Sequence, residues 1–453
     1  MAAALVAPVG RGCNAEDQSV SISVIGFAGM THLGLNSAAA AAEKGFETIC
    51  FDADPAVIAR LSSAALPVIE PGLPQLLEKN RARIRFTSDS GDLKRCDVVY
   101  IAADVPTDDQ GESNLAGIRE LIDAAAIGLN SKAILVILCQ VPPGFTRSLP
   151  LPLERIYYQV ETLIFGQAVE RAMRPERIIV GCAAPQRPLP ESYRQFLSAF
   201  ECPILPMRFE SAELAKIAIN CCLVASISVA NTLAELSERI GADWSEIAPA
   251  LKLDKRIGAY SYVNPGLGLA GGNLERDLAT VLRLAQETGS DAGIIEAFVR
   301  NSRYRRDWVL RTLHTEVLAA KPRAVLGVLG LAYKENTHSI KNSPSLALIK
   351  HLQHCPLRIY DPAVSSKAAN HPTATGCASA LETAQGADAL IIMTPWPVFR
   401  DLKPADLAKV MAGSTVIDPY RVLDANAVAS AGLDYFTLGM PALRAEKQKA
   451  ARA

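Results

Sequence analysis

The sequence predicts an α/β protein in which two parallel-sheet domains are joined by a central helical segment containing one long buried helix. Three observations predict it. Short apolar runs alternate with helical patterns near both ends of the chain. Between them, residues 211–239 hold neither proline nor glycine and are apolar nearly all round. The first apolar run leads into glycines, and the second ends in an acid.

Composition sets the outer bounds. At 453 residues the chain exceeds one core, and two or three domains of roughly 150 residues are expected. Apolar residues make up 49% and charged residues 21%, enough for packed cores. A net charge of −1 with both signs interspersed argues against a nucleic-acid or anionic-membrane partner. The ten cysteines form no CxxC pair and no Cys/His cluster of zinc spacing, so no metal is expected. They read as small buried residues of a reducing compartment. Ala2 to Val9 is too short and lacks the basic flank of a secretory signal, and no run approaches the roughly 20 apolar residues of a membrane span. A cytoplasmic protein is expected.

Taken in order, residues 1–19 read as a flexible leader and 20–208 as the first domain. There SISVIG (21–26) is a strand, Asn36 to Lys44 an alanine-rich helix ended by Gly45, and ETICFD (47–52) a second strand. Strand, glycine-bearing loop, helix and acid-tipped strand make the βαβ unit of a Rossmann-like, dinucleotide-binding sheet. DVVYIAA (97–103), KAILVILCQ (132–140) and ERIIVG (176–181) add strands to a parallel sheet covered on both faces. Residues 209–320 form the central helical domain, whose long helix threads between domains or supports a dimer interface. After Lys321–Pro322 a second Rossmann-like domain, 321–443, carries RAVLGVLGLAY (323–333), LRIYDP (357–362), ADALIIMTPW (387–396) and STVIDPY (414–420). Residues 444–453 read as a charged, frayed tail.

Gly26, Gly29 and Gly34 occupy the turn where a pyrophosphate would sit on a helix N-terminus. Seven residues separate Gly26 from Gly34 where the GxGxxG fingerprint has four, so the loop reads as lengthened. Asp52, at the tip of the next strand, is placed to accept from an adenosine ribose and favours NAD over NADP. His32 lies in the loop without a partner in sequence and reads as a packing residue. Lys216 and Asn220, four apart on the long helix, present an ammonium and an amide on one face, suited to a developing alkoxide.

Seven segments then occur in a telling order: IEPGL (69–73), PTDD (106–109), VPPGFTR (141–147), RPERIIVG (174–181), NPGLGLAGGNLERD (264–277), GLAYKENTHSIKNSP (330–344) and VIDPYR (416–421). Together they resemble the UDP-glucose/GDP-mannose dehydrogenase family from about Val20 to Met440. The resemblance implies an NAD-binding N-terminal domain, a central helical dimerisation region and a C-terminal nucleotide-sugar-binding domain. Its activity is oxidation of a sugar C6 alcohol to a carboxylate in two hydride transfers. By position, Thr107 falls on a threonine that holds the catalytic water, and Glu161 on the general acid/base. Lys216 and Asn220 fall on the oxyanion-stabilising pair, and Asp277 on the aspartate that orients lysine or water. Arg256, Gly268 and Gly271 fall in the loop that wraps the sugar nucleotide; Lys334 belongs to the substrate side and Lys341 to the cofactor side.

One departure is large. Where the family motif reads GGSCFPKD, this chain reads Ala270-Gly-Gly-Asn273-Leu-Glu-Arg-Asp277, so Asn273 stands where the nucleophilic cysteine is expected. A thiolate would form a thiohemiacetal with the intermediate aldehyde, and an asparagine does not. The leading expectation is an NAD-dependent nucleotide-sugar oxidoreductase, homodimeric through its central helices. A nucleotide-sugar epimerase or isomerase with transient oxidation is a second reading. A non-catalytic sugar-nucleotide-binding homologue is a third, and a 3-hydroxyacid dehydrogenase a weaker fourth.

Overall fold

A computed structural model describes residues 22–108, 111–270 and 272–445; the leader at 1–19 and most of the tail lie outside these. The first sheet has eight strands: β1 (Ile25–Ala28), β2 (Thr48–Phe51), β3 (Ile84–Thr87), β4 (Val98–Ile101), β5 (Ile134–Ile137), β6 (Ile156–Gln159), β7 (Ile178–Cys182) and β8 (Ile204–Arg208). Their order is β3-β2-β1-β4-β5-β6-β7-β8. β1, β2, β4 and β5 are buried at every position, because helices cover both faces and each strand must be apolar throughout.

The second sheet holds β9 (Leu326–Leu329), β10 (Leu357–Tyr360), β11 (Ala374–Gly376), β12 (Ala389–Ile392), β13 (Thr415–Ile417) and β14 (Asp434–Phe436), in the order β11-β10-β9-β12-β13-β14. All its pairs are parallel. In both sheets the order reverses beside the first strand, which opens a crevice at the carboxyl ends of the strands, where ligands bind in such folds.

Two expectations about the sheets are revised. The first sheet is mixed, since β6 and β7 pair antiparallel. Five strands escaped the sequence pattern: β3, β6, β8, β11 and β14. Four of these are sheet edges, short or partly exposed, and β8 carries Pro206, which only an edge tolerates.

The helix Phe209–Ile240 spans 32 residues, close to 48 Å at the α-helical rise, and ends on Gly241 at φ +86°. It is not buried all round. One face packs Phe209, Ala212, Ile217, Val224 and Ala234 against the first sheet and its neighbouring helices, while Leu214, Val229, Leu233, Leu236 and Ile240 are exposed. By length and composition alone it would qualify as a membrane span, contrary to the sequence expectation. Its inner face nevertheless buries Glu213, Lys216, Asn220, Asn231 and Ser237, a polar row that suits contact with protein rather than lipid.

The second sheet is tied to the helical centre by polar clasps. Arg421, within VIDPYR, donates to Asp243 Oδ1 at 2.6 Å, and Trp244 N–H donates to the Gly439 carbonyl at 2.7 Å. Arg444 pairs with Glu316 at 2.7 and 2.8 Å, and Ala445 N–H donates to Asp434. The first two residues of the expected frayed tail are therefore fixed.

Candidate active site

β1 runs on to Ala28, which moves Gly26 out of the loop. It lies inside the strand, where a Cβ would meet Cys96 Sγ at 2.9 Å and Val99 at 3.0 Å, so it serves packing and not phosphate contact. The turn itself begins at Gly29, with φ +97°, and the helix begins at His32. A Cβ on Gly34 would lie 1.9 Å from the Gly29 carbonyl oxygen, the close helix–strand approach that only glycine permits. Gly29 and Gly34 have four residues between them, the first-to-last spacing of the fingerprint, with Thr31 in the middle position. The loop is thus not lengthened.

Asp52 Oδ2 accepts from Met30 N–H at 2.9 Å, and Asp104 Oδ2 from His32 N–H at 3.1 Å. The other first-turn N–H groups, orphaned by helix geometry, suit the oxygens of a pyrophosphate. Backbone cradle, glycine packing and adjoining acid together fit NAD.

Beyond the carboxyl ends of β5 and β6 four further residues converge. Lys216 and Asn220 are 7% and 6% exposed on the inner face of the long helix. Lys216 Nζ lies 3.6 Å from Glu161 Oε2, and Glu161 also accepts from Leu163 N–H. Asn220 Nδ2 donates to Asp277 Oδ2 at 2.6 Å. Asp277, in the first turns of the helix Asn273–Thr288, is 2% exposed and accepts from Gln140 Nε2 as well. Arg276 donates to Gln140 Oε1, and its Nε stands 3.6 Å from Asp277.

Arg276 is buried, 5% exposed, and its Nε makes no hydrogen bond. Gln140 and Arg276 were missed as site residues. The one hint in the sequence was that Gln140 closes the apolar run AILVILCQ just before the VPPG turn.

Lys341, from the second sheet's domain, donates to the carbonyls of Thr107 and Asp108 at 3.3 Å each. A Cβ on Gly272 would lie 3.5 Å from Thr107 Oγ1 and 3.7 Å from Lys341, which brings the start of Asn273's helix to the same place. Asn273 itself is exposed at that helix start. Lys334 is half-buried and donates to the Phe165 carbonyl at 2.7 Å. Burial pushes its ammonium below the usual range, partly offset by Glu335 and Glu70.

Not every expected residue joins. Arg256 is exposed and bonded to Asp254 at 2.6 Å, outside the cluster. Gly268, at φ +74°, abuts Ser302 of the helix Gly293–Arg306, where a Cβ would meet the Ser302 carbonyl at 2.4 Å; packing explains it without substrate. Gly271 lies outside the described residues. Neither Cys221 nor Cys139 offers a ready thiolate: burial pushes Cys221 up to about 11 and Cys139 up to about 12. Among the described residues no group of three or more His, Cys, Asp or Glu could hold a metal.

A dinucleotide fold with a glycine turn and acid-tipped strand, and a buried Lys–Asn–Asp cluster where that fold meets the central helices, define an NAD-dependent dehydrogenase. The chain belongs to the UDP-glucose/GDP-mannose dehydrogenase family. Its NAD-binding domain matches over residues 20–197, its central domain over 210–303 and its UDP-binding domain over 327–425. UDP-glucose 6-dehydrogenase TuaD of Bacillus subtilis is 29% identical over 435 residues, covering 92% of this chain and 93% of its own. A UDP-glucose 6-dehydrogenase of Pseudomonas aeruginosa is also 29% identical, covering 91% and 96%. Among solved structures, a UDP-glucose dehydrogenase from Pyrobaculum islandicum superimposes with a TM-score of 0.77 at 25% identity, over 86% of this chain and 94% of that one. The protein is an NAD-dependent nucleotide-sugar dehydrogenase by family.

Proposed function

We propose that this protein oxidises the C6 alcohol of a nucleotide sugar, with UDP-glucose as the first substrate to test. The observation that carries the proposal is the buried Lys216–Asn220 pair, flanked by Glu161 and Asp277 where the first dinucleotide fold meets the central helices. NAD, when bound, accepts the hydride that leaves carbon.

The chain's own residues do the rest. Lys216 and Asn220 hold the oxygen as it turns from alcohol to alkoxide. The hydroxyl proton passes to Glu161, one of whose oxygens faces Lys216. Asp277 is less suited as a base, because Asn220, Gln140 and Arg276 already engage its two oxygens. Its role is to fix the Asn220 amide. Thr107 and Lys341 lie on the cofactor side and Lys334 on the sugar-nucleotide side. The relatives named above are UDP-glucose dehydrogenases, which supports the choice of sugar.

With Asn273 in place of a thiol, a route to the acid passes through the aldehyde hydrate. Once Glu161 has released its first proton to solvent, water adds across the carbonyl, Glu161 takes a hydroxyl proton of the hydrate, and the second hydride leaves carbon for a second NAD. Asn273 also favours a second reading, in which the hydride returns to the same sugar and the product is an epimer or isomer. The exposed apolar stripe on the long helix supports a homodimer.

Incubation with NAD and a panel of UDP-, GDP- and dTDP-sugars, with products weighed by mass spectrometry, separates these outcomes. Acid gains one oxygen and loses two hydrogens, whereas aldehyde or ketone only loses the hydrogens. An unchanged mass with a shifted sugar configuration marks the epimerase. No turnover of any sugar with NAD sinks the proposal. Asn273→Cys is expected to add or raise acid formation.

A further inference from the structure

His32 and Glu70 form a buried pair that the oxidation chemistry does not use. They are 5% and 4% exposed, with Nε2 and Oε2 2.8 Å apart. His32 is the first residue of the helix that closes the glycine turn, so its backbone belongs to the proposed pyrophosphate cradle. Glu70 lies just before the short helix Leu73–Lys79 and turns its carboxylate inward. That carboxylate also accepts from the N–H groups of Gly166 and Ala168 at 2.9 Å each. The His32 ring stacks on Phe165 at 4.0 Å between centroids, inclined by 27°. The Phe165 carbonyl in turn accepts from Lys334 of the other domain.

The Glu70 carboxylate therefore ties the cofactor turn to the loop that carries Glu161, and that loop in turn receives the sugar-nucleotide lysine at the Phe165 carbonyl. An unpartnered buried carboxylate is costly, so Glu70 holds its partners in register, and a shift in one loads the others. A histidine needed only for packing has no use for a polar partner here, since Phe165 alone would receive an apolar ring.

Resting on the function proposed above, we infer that His32 and Glu70 are positioning residues that couple dinucleotide binding to sugar-nucleotide binding through the loop 161–168. The coupling is reciprocal, as any linkage between two binding sites must be.

Calorimetry with NADH and UDP-glucose, a pair that cannot react, alone and together, tests it on the full chain. Saturating NADH is expected to tighten UDP-glucose binding about tenfold in the unaltered protein. His32→Phe keeps the stack but loses the hydrogen bond, and Glu70→Gln loses the charge; each should bring the factor to within about twofold of one. His32→Gln, which can still donate to Glu70, should restore it. Hydrogen exchange gives a second readout free of the sugar: NAD should slow exchange at Gly166 and Ala168 in the unaltered protein and not in His32→Phe. Coupling of full size in His32→Phe, or none in the unaltered protein while both ligands bind, overturns the inference and leaves the proposed function standing. Binding of neither ligand removes both.

Discussion

Lys216 is the residue on which the proposed chemistry turns. An ammonium nine-tenths buried on a helix face is retained only where something repays its desolvation, and here Glu161 supplies one partner at 3.6 Å. Because its charge faces an alkoxide only as that alkoxide develops, Lys216→Ala should lower kcat by about 10²–10³ while leaving NAD affinity unchanged. Stopped-flow detection of NADH separates this from a binding defect; a loss confined to KM would count against the assignment. Much of this cluster was legible, because Lys216 and Asn220 are one helical turn apart and any helix brings such a pair together. Gln140 and Arg276 were not legible, being far apart in sequence and joined only by the packing of a helix start against a strand end. The glycine turn was misread for a smaller reason. Where β1 ends decides which glycine opens the loop, and two residues of strand turned an ordinary turn into an apparently long one.

At the scale of elements, Glu213 clasps the VPPGFTR turn to the long helix, one turn before Lys216. It is fully buried and accepts from Gly144 N–H at 2.6 Å and Thr146 N–H at 2.9 Å. Burial raises its carboxyl above the ordinary glutamate value of 4.5, and the two N–H groups only partly offset this. The native state therefore keeps the Glu213 proton to higher pH than the unfolded chain does. Unfolding releases a proton in that window, so this group's contribution falls as pH rises above 4.5 and levels off past the native value. Urea unfolding of the natural protein and Glu213→Gln across that range should show the difference in stability shifting toward the variant as pH rises. A flat or opposite trend would mean that the N–H bonds outweigh burial. The same helix shows what sequence pattern gives and withholds. Its length and apolar character are plain from residues 211–239, but which face is inward is set by the sheet and by the helices Asn273–Thr288 and Gly293–Arg306, all distant in sequence.

For the whole molecule, the exposed side of that helix asks for a partner. Val229, Leu233, Leu236 and Ile240 follow one another at spacings of four, three and four, a continuous apolar stripe, and are 56%, 42%, 50% and 66% exposed. An apolar row of this kind left in water favours association, at roughly 25 cal/mol for each Å² covered. A second copy of the chain is the partner whose matching stripe is always present, and a two-fold axis would set the two helices face to face. Leu233→Glu with Leu236→Glu places two charges in the middle of each stripe, and across the axis they would face their own kind. Light scattering should then report half the mass of the unaltered protein, with the far-ultraviolet dichroism unchanged because the inner face is untouched. Were the doubly substituted chain to keep the mass of the unaltered one, the stripe would not be the interface.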